Sequence, residues 1–213
     1  MASGALVTFL LNILSALVAL LTSYYAYKVN RLVSNSVLRA ISIGFMLLGI
    51  GLVVDAGTSL ISGRTLVESF SDRVLTLFAS LTYLTVQMIA YLVIALGYAR
   101  TAYGSPPKAA MPLVLAGSAM AGLYGFSLLS YFVAFILLAF IVFQGVLLRA
   151  GDRVRLSGMV LLAFILIFTA HFVLLLSVLV LGSGLFLIGT GVQFLGFLSL
   201  LVFVLRSEVV GPG

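Results

Sequence analysis

Seven apolar runs follow one another along the chain, at residues 5–28, 38–61, 73–99, 110–126, 128–148, 156–181 and 185–205, with short polar links between them. None shows the apolar–polar alternation over ten-residue segments that a barrel strand needs, so each is predicted to be a helix. About 20 residues at 1.5 Å rise cross a ~30 Å hydrocarbon core, and every run but the fourth reaches that length. The pattern predicts an all-α, polytopic membrane protein with seven transmembrane helices, forming one integral membrane domain over residues 1–213. Nothing basic precedes the first run, so it reads as a spanning helix with a short outside tail rather than a cleaved signal peptide.

The links carry their own signals. Tyr24, Tyr25 and Tyr27 stand beside Lys28 and Arg31, the composition of an aromatic belt at a headgroup boundary. Thr65 and Glu68 have capping-box spacing, and with Leu66, Val67 and Phe70 they predict a short interfacial helix. Gly104-Ser105-Pro106-Pro107-Lys108 is the clearest break, and Gly182-Ser183-Gly184 is a tight turn. Small residues mark where backbones can approach: Ala40 and Gly44 on the second run, and Gly117, Ala121 and Gly125 every four positions on the fourth. These stripes are the expected faces for helix packing, for a protein partner or for a homo-oligomer.

Composition turns the pattern into a statement about solvent. The chain is 63% hydrophobic and 8% charged, too little polar surface for water, so the lipid bilayer is the first partner. A net charge of +6 is not a nucleic-acid signal here. With the N-terminus outside, the inner segments hold Lys28, Arg31, Arg39, Arg100, Lys108, Arg149, Arg153, Arg155 and Arg206, and the outer ones only Arg64 and Arg73. That asymmetry predicts a multi-pass protein of the cell membrane with its C-terminus in the cytoplasm. There is no cysteine, so disulfides and thiolate chemistry are excluded. No P-loop, GxSxG or His-rich metal spacing occurs, and neither an enzyme, a metal site nor a cofactor is expected.

A repeat is visible. Shifted by 106 positions, Thr85–Arg100 (TVQMIAYLVIALGYAR) lies on Gly191–Arg206 (GVQFLGFLSLLVFVLR), with Gln87 on Gln193, Tyr91 on Phe197 and Arg100 on Arg206. The second and sixth runs match at 116, placing Arg39 on Arg155 and Asp55 on His171. Aliphatic matches come cheaply in such a sequence, so only the polar coincidences are informative. The expectation is a 3+1+3 arrangement, a parallel internal repeat of 5–100 and 128–206 joined by a linking helix at 110–126.

Ionisable groups inside spans add roughly 2.5–3.5 kcal/mol to insertion and so mark candidate sites. Two occur, Asp55 and His171, each about 24 Å beyond its basic anchor at 1.5 Å per residue. They are expected to face a shared outward-opening polar pocket, each stabilising the other's charged form. The blander alternatives are a wetted Asp55 at the mouth of its helix and a His171 satisfied by a backbone carbonyl or a threonine. Gln87 and Gln193 lie about 20 Å from Arg100 and Arg206, near mid-membrane. They read either as interhelical glue or as a ligand-facing layer shared with Thr82, Tyr83, Tyr91 and Thr190.

Three resemblances bear on this. The topology is similar to that of microbial rhodopsins, but the seventh run has no lysine for retinal, so no retinal is expected. It is also similar to SWEET-type transporters, whose proline-glutamine motif is missing because both glutamines follow valine. Over residues 1–104 the chain resembles the seven-helix sensor region of membrane histidine kinases. The likeness lies in YYAYKVNR, in the acidic residue of LLGIGLVVDAG and in the exit YLVIALGYARTAYG, with no kinase segment in the 213 residues. The resemblance implies a sensor-like, ligand-binding module. A small-solute or proton-coupled transporter and a structural subunit of a larger membrane complex are the alternative expectations.

Overall fold

A computed structural model describes residues 2–64, 70–103, 127–150, 158–180 and 183–209. They form α1 (Ala2–Val33), α2 (Ser36–Arg64), α3 (Phe70–Tyr103), α4 (Ser127–Ala150), α5 (Gly158–Val180) and α6 (Ser183–Val209). All six contain a stretch long and apolar enough to cross a bilayer, and the protein is an all-α polytopic membrane protein. Six of the predicted runs fall on these helices; α1, predicted over 5–28, continues to Val33. The fourth run, 110–126, with Gly117, Ala121 and Gly125, lies outside the described residues, as does the Thr65–Glu68 link.

The turn between α1 and α2 is two residues long, and its chemistry is local. Ser34 has φ 51°, the left-handed conformation that ends a helix, and its N–H donates to the Asn30 carbonyl at 2.8 Å. Asn35 then caps α2, its Oδ1 accepting the Val37 N–H at 2.8 Å.

Each helix packs on two others, α1 on α2, α2 on α3, α3 on α4, α4 on α5, α5 on α6 and α6 on α1, so the described helices close into a ring. Lipid supplies no hydrophobic drive between helices, so close backbone approach and hydrogen bonds hold them together. Ala40 and Gly44 serve this within the chain: Gly97 of α3 meets Ala40, and a Cβ on Gly44 would stand 2.6 Å from Ile94. Between α1 and α2, the Ser23 hydroxyl donates to the Ser42 carbonyl at 2.8 Å and the Ser42 hydroxyl to the Ser23 carbonyl at 3.0 Å. Large side chains fill the inside of the ring, with Phe45 of α2 edge-on to Phe197 of α6 at 5.2 Å and Tyr98 of α3 edge-on to Phe164 of α5 at 5.8 Å. Leu10, Leu17, Ile50, Phe143 and Leu195 face outward, as a lipid-facing surface requires.

Two close approaches recur in the two halves of the ring. Gly44 of α2 meets Ala90 of α3, and Ala163 of α5 meets Gly196 of α6; Gly51 meets Tyr83, and Ala170 meets Gly189. The α3 and α6 partners are 106 positions apart in both cases, and the α2 and α5 partners 119 apart. The recurring contacts are thus offset by 119 between α2 and α5, where the sequence matches lay at 116. At that offset Asp55 corresponds to Leu174 and Leu52 to His171.

The helix directions follow from what meets at each end. Asn12, Tyr83, Tyr131 and Phe186, in the N-terminal halves of α1, α3, α4 and α6, border one cavity with Asp55 and Leu174 from the C-terminal halves of α2 and α5. At the opposite end, Gln144 Nε2 near the end of α4 donates to the Tyr103 hydroxyl closing α3 at 3.0 Å. Neighbours α3 and α4 therefore run parallel, and Tyr103 and Ser127 lie at opposite ends of the bundle. Arg31, Arg39, Arg100, Arg149 and Arg206 are all exposed at the Tyr103 end.

Candidate functional site

At the other end, a cavity of about 220 Å³ sits on the ring axis and takes side chains from all six helices. Asn12 of α1, Asp55 of α2, Tyr83 and Leu84 of α3, Tyr131 of α4, Leu174 of α5 and Phe186, Thr190 and Gln193 of α6 line it. At about 30 Å³ of liquid per molecule it has room for roughly seven waters, the scale of a small organic ligand.

Asn12 Nδ2 donates to Asp55 Oδ2 at 3.0 Å, a hydrogen bond to a carboxylate that fixes how that group faces the cavity. Tyr83 and Tyr131 line the same cavity, so the carboxylate and the two phenols share one space. The Thr190 hydroxyl spends its proton on the Phe186 carbonyl at 2.9 Å, leaving its lone pairs for the cavity. Gln193 Nε2 is buried near the Tyr83 hydroxyl but has no acceptor in full hydrogen-bond geometry. A buried orphan donor of this kind is uncommon, because losing water without a replacement is unfavourable by about 1–3 kcal/mol.

One turn below lies a second polar group. His171 is fully buried on α5, and its Nδ1 is 2.8 Å from the Ile167 carbonyl. A carbonyl only accepts, so Nδ1 carries the proton and Nε2 is the acceptor. Gln87 Nε2 donates to it at 2.7 Å, and the Tyr91 hydroxyl stands 3.3 Å away. Edge-on contacts with Tyr91 at 5.2 Å and Tyr131 at 6.4 Å complete the packing of the imidazole. The imidazole is therefore held neutral in one tautomer, below the cavity rather than on its wall.

The structure divides the sequence candidates into these two groups. Asp55, Tyr83, Thr190 and Gln193 line the cavity; His171, Gln87 and Tyr91 form the buried cluster beneath it. His171 hydrogen-bonds with Gln87 and the Ile167 carbonyl rather than with Asp55, the partner expected from the sequence. On α5 it is Leu174 that reaches the cavity wall with Asp55, and His171, about one turn away, bonds to Gln87 instead. Thr82 is outside the cavity as well, its hydroxyl donating to the Phe78 carbonyl at 2.8 Å. Asn12 and Tyr131 are cavity residues that sequence reasoning missed; the available signal was an amide and a phenol inside otherwise apolar runs. Gln144, at the other end of the bundle, is buried against Tyr103.

No cluster of three metal-ligating side chains occurs among the described residues. A second groove of about 390 Å³, between α4 and α5, is lined only by Leu128, Leu129, Phe132, Leu175 and Leu179, with no polar group to orient a ligand. Comparison with family models, curated proteins and solved structures gives no match to the chain.

Proposed function

We propose that the protein is a sensor-like membrane receptor that binds a small polar ligand from outside the cell and relays occupancy to a partner. The N-terminus and the cavity face out and the C-terminus faces the cytoplasm, in agreement with the exposed arginines at the far end. One observation carries the reading: the cavity is bordered by all six helices at one end, while the interior beneath it is closed by the Gln87–His171 cluster and the Phe45–Phe197 pair. A ligand touching every helix is sensitive to any rearrangement among them, which is what differential binding to two states requires. The chain crosses seven times in this reading, since residues 104–126 join two ends of the bundle that lie on opposite faces.

Transport is the second reading, favoured by the contacts that recur at 106 and 119 positions. They support a parallel internal repeat, and such repeats in transporters enclose a substrate site between them. One experiment separates the two. The chain has no cysteine, so Thr190→Cys offers a single thiol in the cavity. A membrane-impermeant maleimide is expected to label it from outside in cells and not from inside in inverted vesicles. Labelling from both sides would favour alternating access and transport. Labelling only from inside would reverse the orientation, and no labelling from either side would remove the open pocket.

A further inference from the structure

The two halves of the ring treat their glutamines differently, and the difference points to a ligand. Gln87 and Gln193 occupy matching positions 106 apart, but Gln87 Nε2 has an acceptor in His171, one turn below the cavity. At the 119 register the residue matching His171 is Leu52, which accepts nothing. Gln193 Nε2 is accordingly left without a partner, buried on the cavity wall. The Asp55 carboxylate, held by Asn12, lines the same space together with Tyr83 and Tyr131. No lysine, arginine or histidine lines the cavity among the described residues.

We propose that the cavity takes a small organic cation of the ammonium class that also carries an acceptor oxygen. The cationic head sits against Asp55 between Tyr83 and Tyr131, and the oxygen receives the Gln193 amide. An aromatic pair beside a carboxylate suits a quaternary ammonium, because the ring faces attract its spread charge while it needs no hydrogen bond of its own. An anion is disfavoured by Asp55, and a neutral molecule forgoes both the carboxylate and the ring faces. The proposal rests on the outward pocket of the receptor reading and adds the chemical class of its occupant.

Choline, its neutral isostere 3,3-dimethylbutanol, tetramethylammonium and acetate are the probes, tested by calorimetry on the full chain in phosphatidylglycerol nanodiscs. Choline is expected to bind about ten-fold or more tightly than its neutral isostere, and acetate not at all. Choline is also expected to bind more tightly than tetramethylammonium, which lacks the oxygen, and Gln193→Leu to erase that advantage. Asp55→Asn is expected to erase the preference for charge. Equal binding of choline and its isostere by the unaltered protein would overturn the cation proposal and leave the pocket standing. The same holds for a preference for acetate. Failure of every probe to bind would overturn both the proposal and the receptor reading. Because the comparison is made on the unaltered chain, it survives a failure of either variant to fold. Repeating it in phosphatidylcholine nanodiscs identifies the source: loss of free-choline binding there means that a lipid headgroup fills the same site, and retention means a soluble ligand, the cation class holding in both cases.

Discussion

Gln87 on α3 donates its amide to Nε2 of His171 on α5 at 2.7 Å, joining two helices that are not neighbours in the ring. The bond crosses the interior between the cavity and the aromatic layer below, and the Ile167 carbonyl on the other ring nitrogen fixes its direction.

Replacing Gln87 with leucine leaves the His171 Nε2 acceptor buried with only the longer Tyr91 contact. The expected loss is about 1–3 kcal/mol of stability, the usual magnitude for an abandoned buried polar group. Gln87→Leu combined with His171→Phe removes both partners and is expected to recover much of that loss. Thermal unfolding of the two single variants and the double variant in nanodiscs measures the coupling; additive effects would mean that the bond contributes nothing.

Glycines divide sharply by what surrounds them. A Cβ on Gly44 would stand 2.6 Å from Ile94 and 3.0 Å from the Ala90 carbonyl, and one on Gly196 would stand 2.6 Å from Ile167 and 3.2 Å from the Ala163 carbonyl. Gly191 has nothing within 4 Å. Valine at 44 or 196 is expected to destabilise by about 1–3 kcal/mol through overpacking. Gly191→Ala is expected to be neutral or to stabilise by up to about 1 kcal/mol through helix propensity. Melting temperatures of the three variants, read side by side, check the contrast.

Ser34 holds a left-handed conformation, φ 51°, that glycine adopts without steric penalty. Ser34→Gly is expected to stabilise the α1–α2 turn by up to about 1 kcal/mol. Asn35→Ala removes the cap on the Val37 N–H and is expected to lose about 1 kcal/mol. Opposite shifts in melting temperature are the expected result.

The parallel course of α3 and α4 puts Tyr103 and Leu128, both exposed, at opposite ends of the bundle. Tyr103→Cys and Leu128→Cys are expected to react with an impermeant maleimide from opposite sides of the membrane, Tyr103→Cys from the cytoplasm. Labelling of both from one side would require α3 and α4 to be antiparallel and would break the ring order.

The sequence by itself determined the solvent and the elements. Continuous apolar runs and few charges specify helices for a bilayer, and six of the predicted runs recur as helices with ends shifted by a few residues. It also named most of the polar side chains that matter, since Asp55, His171, Gln87 and Gln193 stand out deep inside apolar runs. What it could not determine is which of them meet. These helices are apolar on nearly every face, so no amphipathic stripe fixes how each is rotated or how far it slides along its neighbour. Sequence matching at an offset of 116 laid Asp55 on His171, whereas the packed helices set His171 against Gln87. Close approaches at Gly44 and Gly196 fix how neighbouring helices meet, and they exist only once the helices have packed. The tertiary structure thus decided that Asn12 holds Asp55, that Tyr131 joins them and that Gln193 is left with a free donor in the cavity.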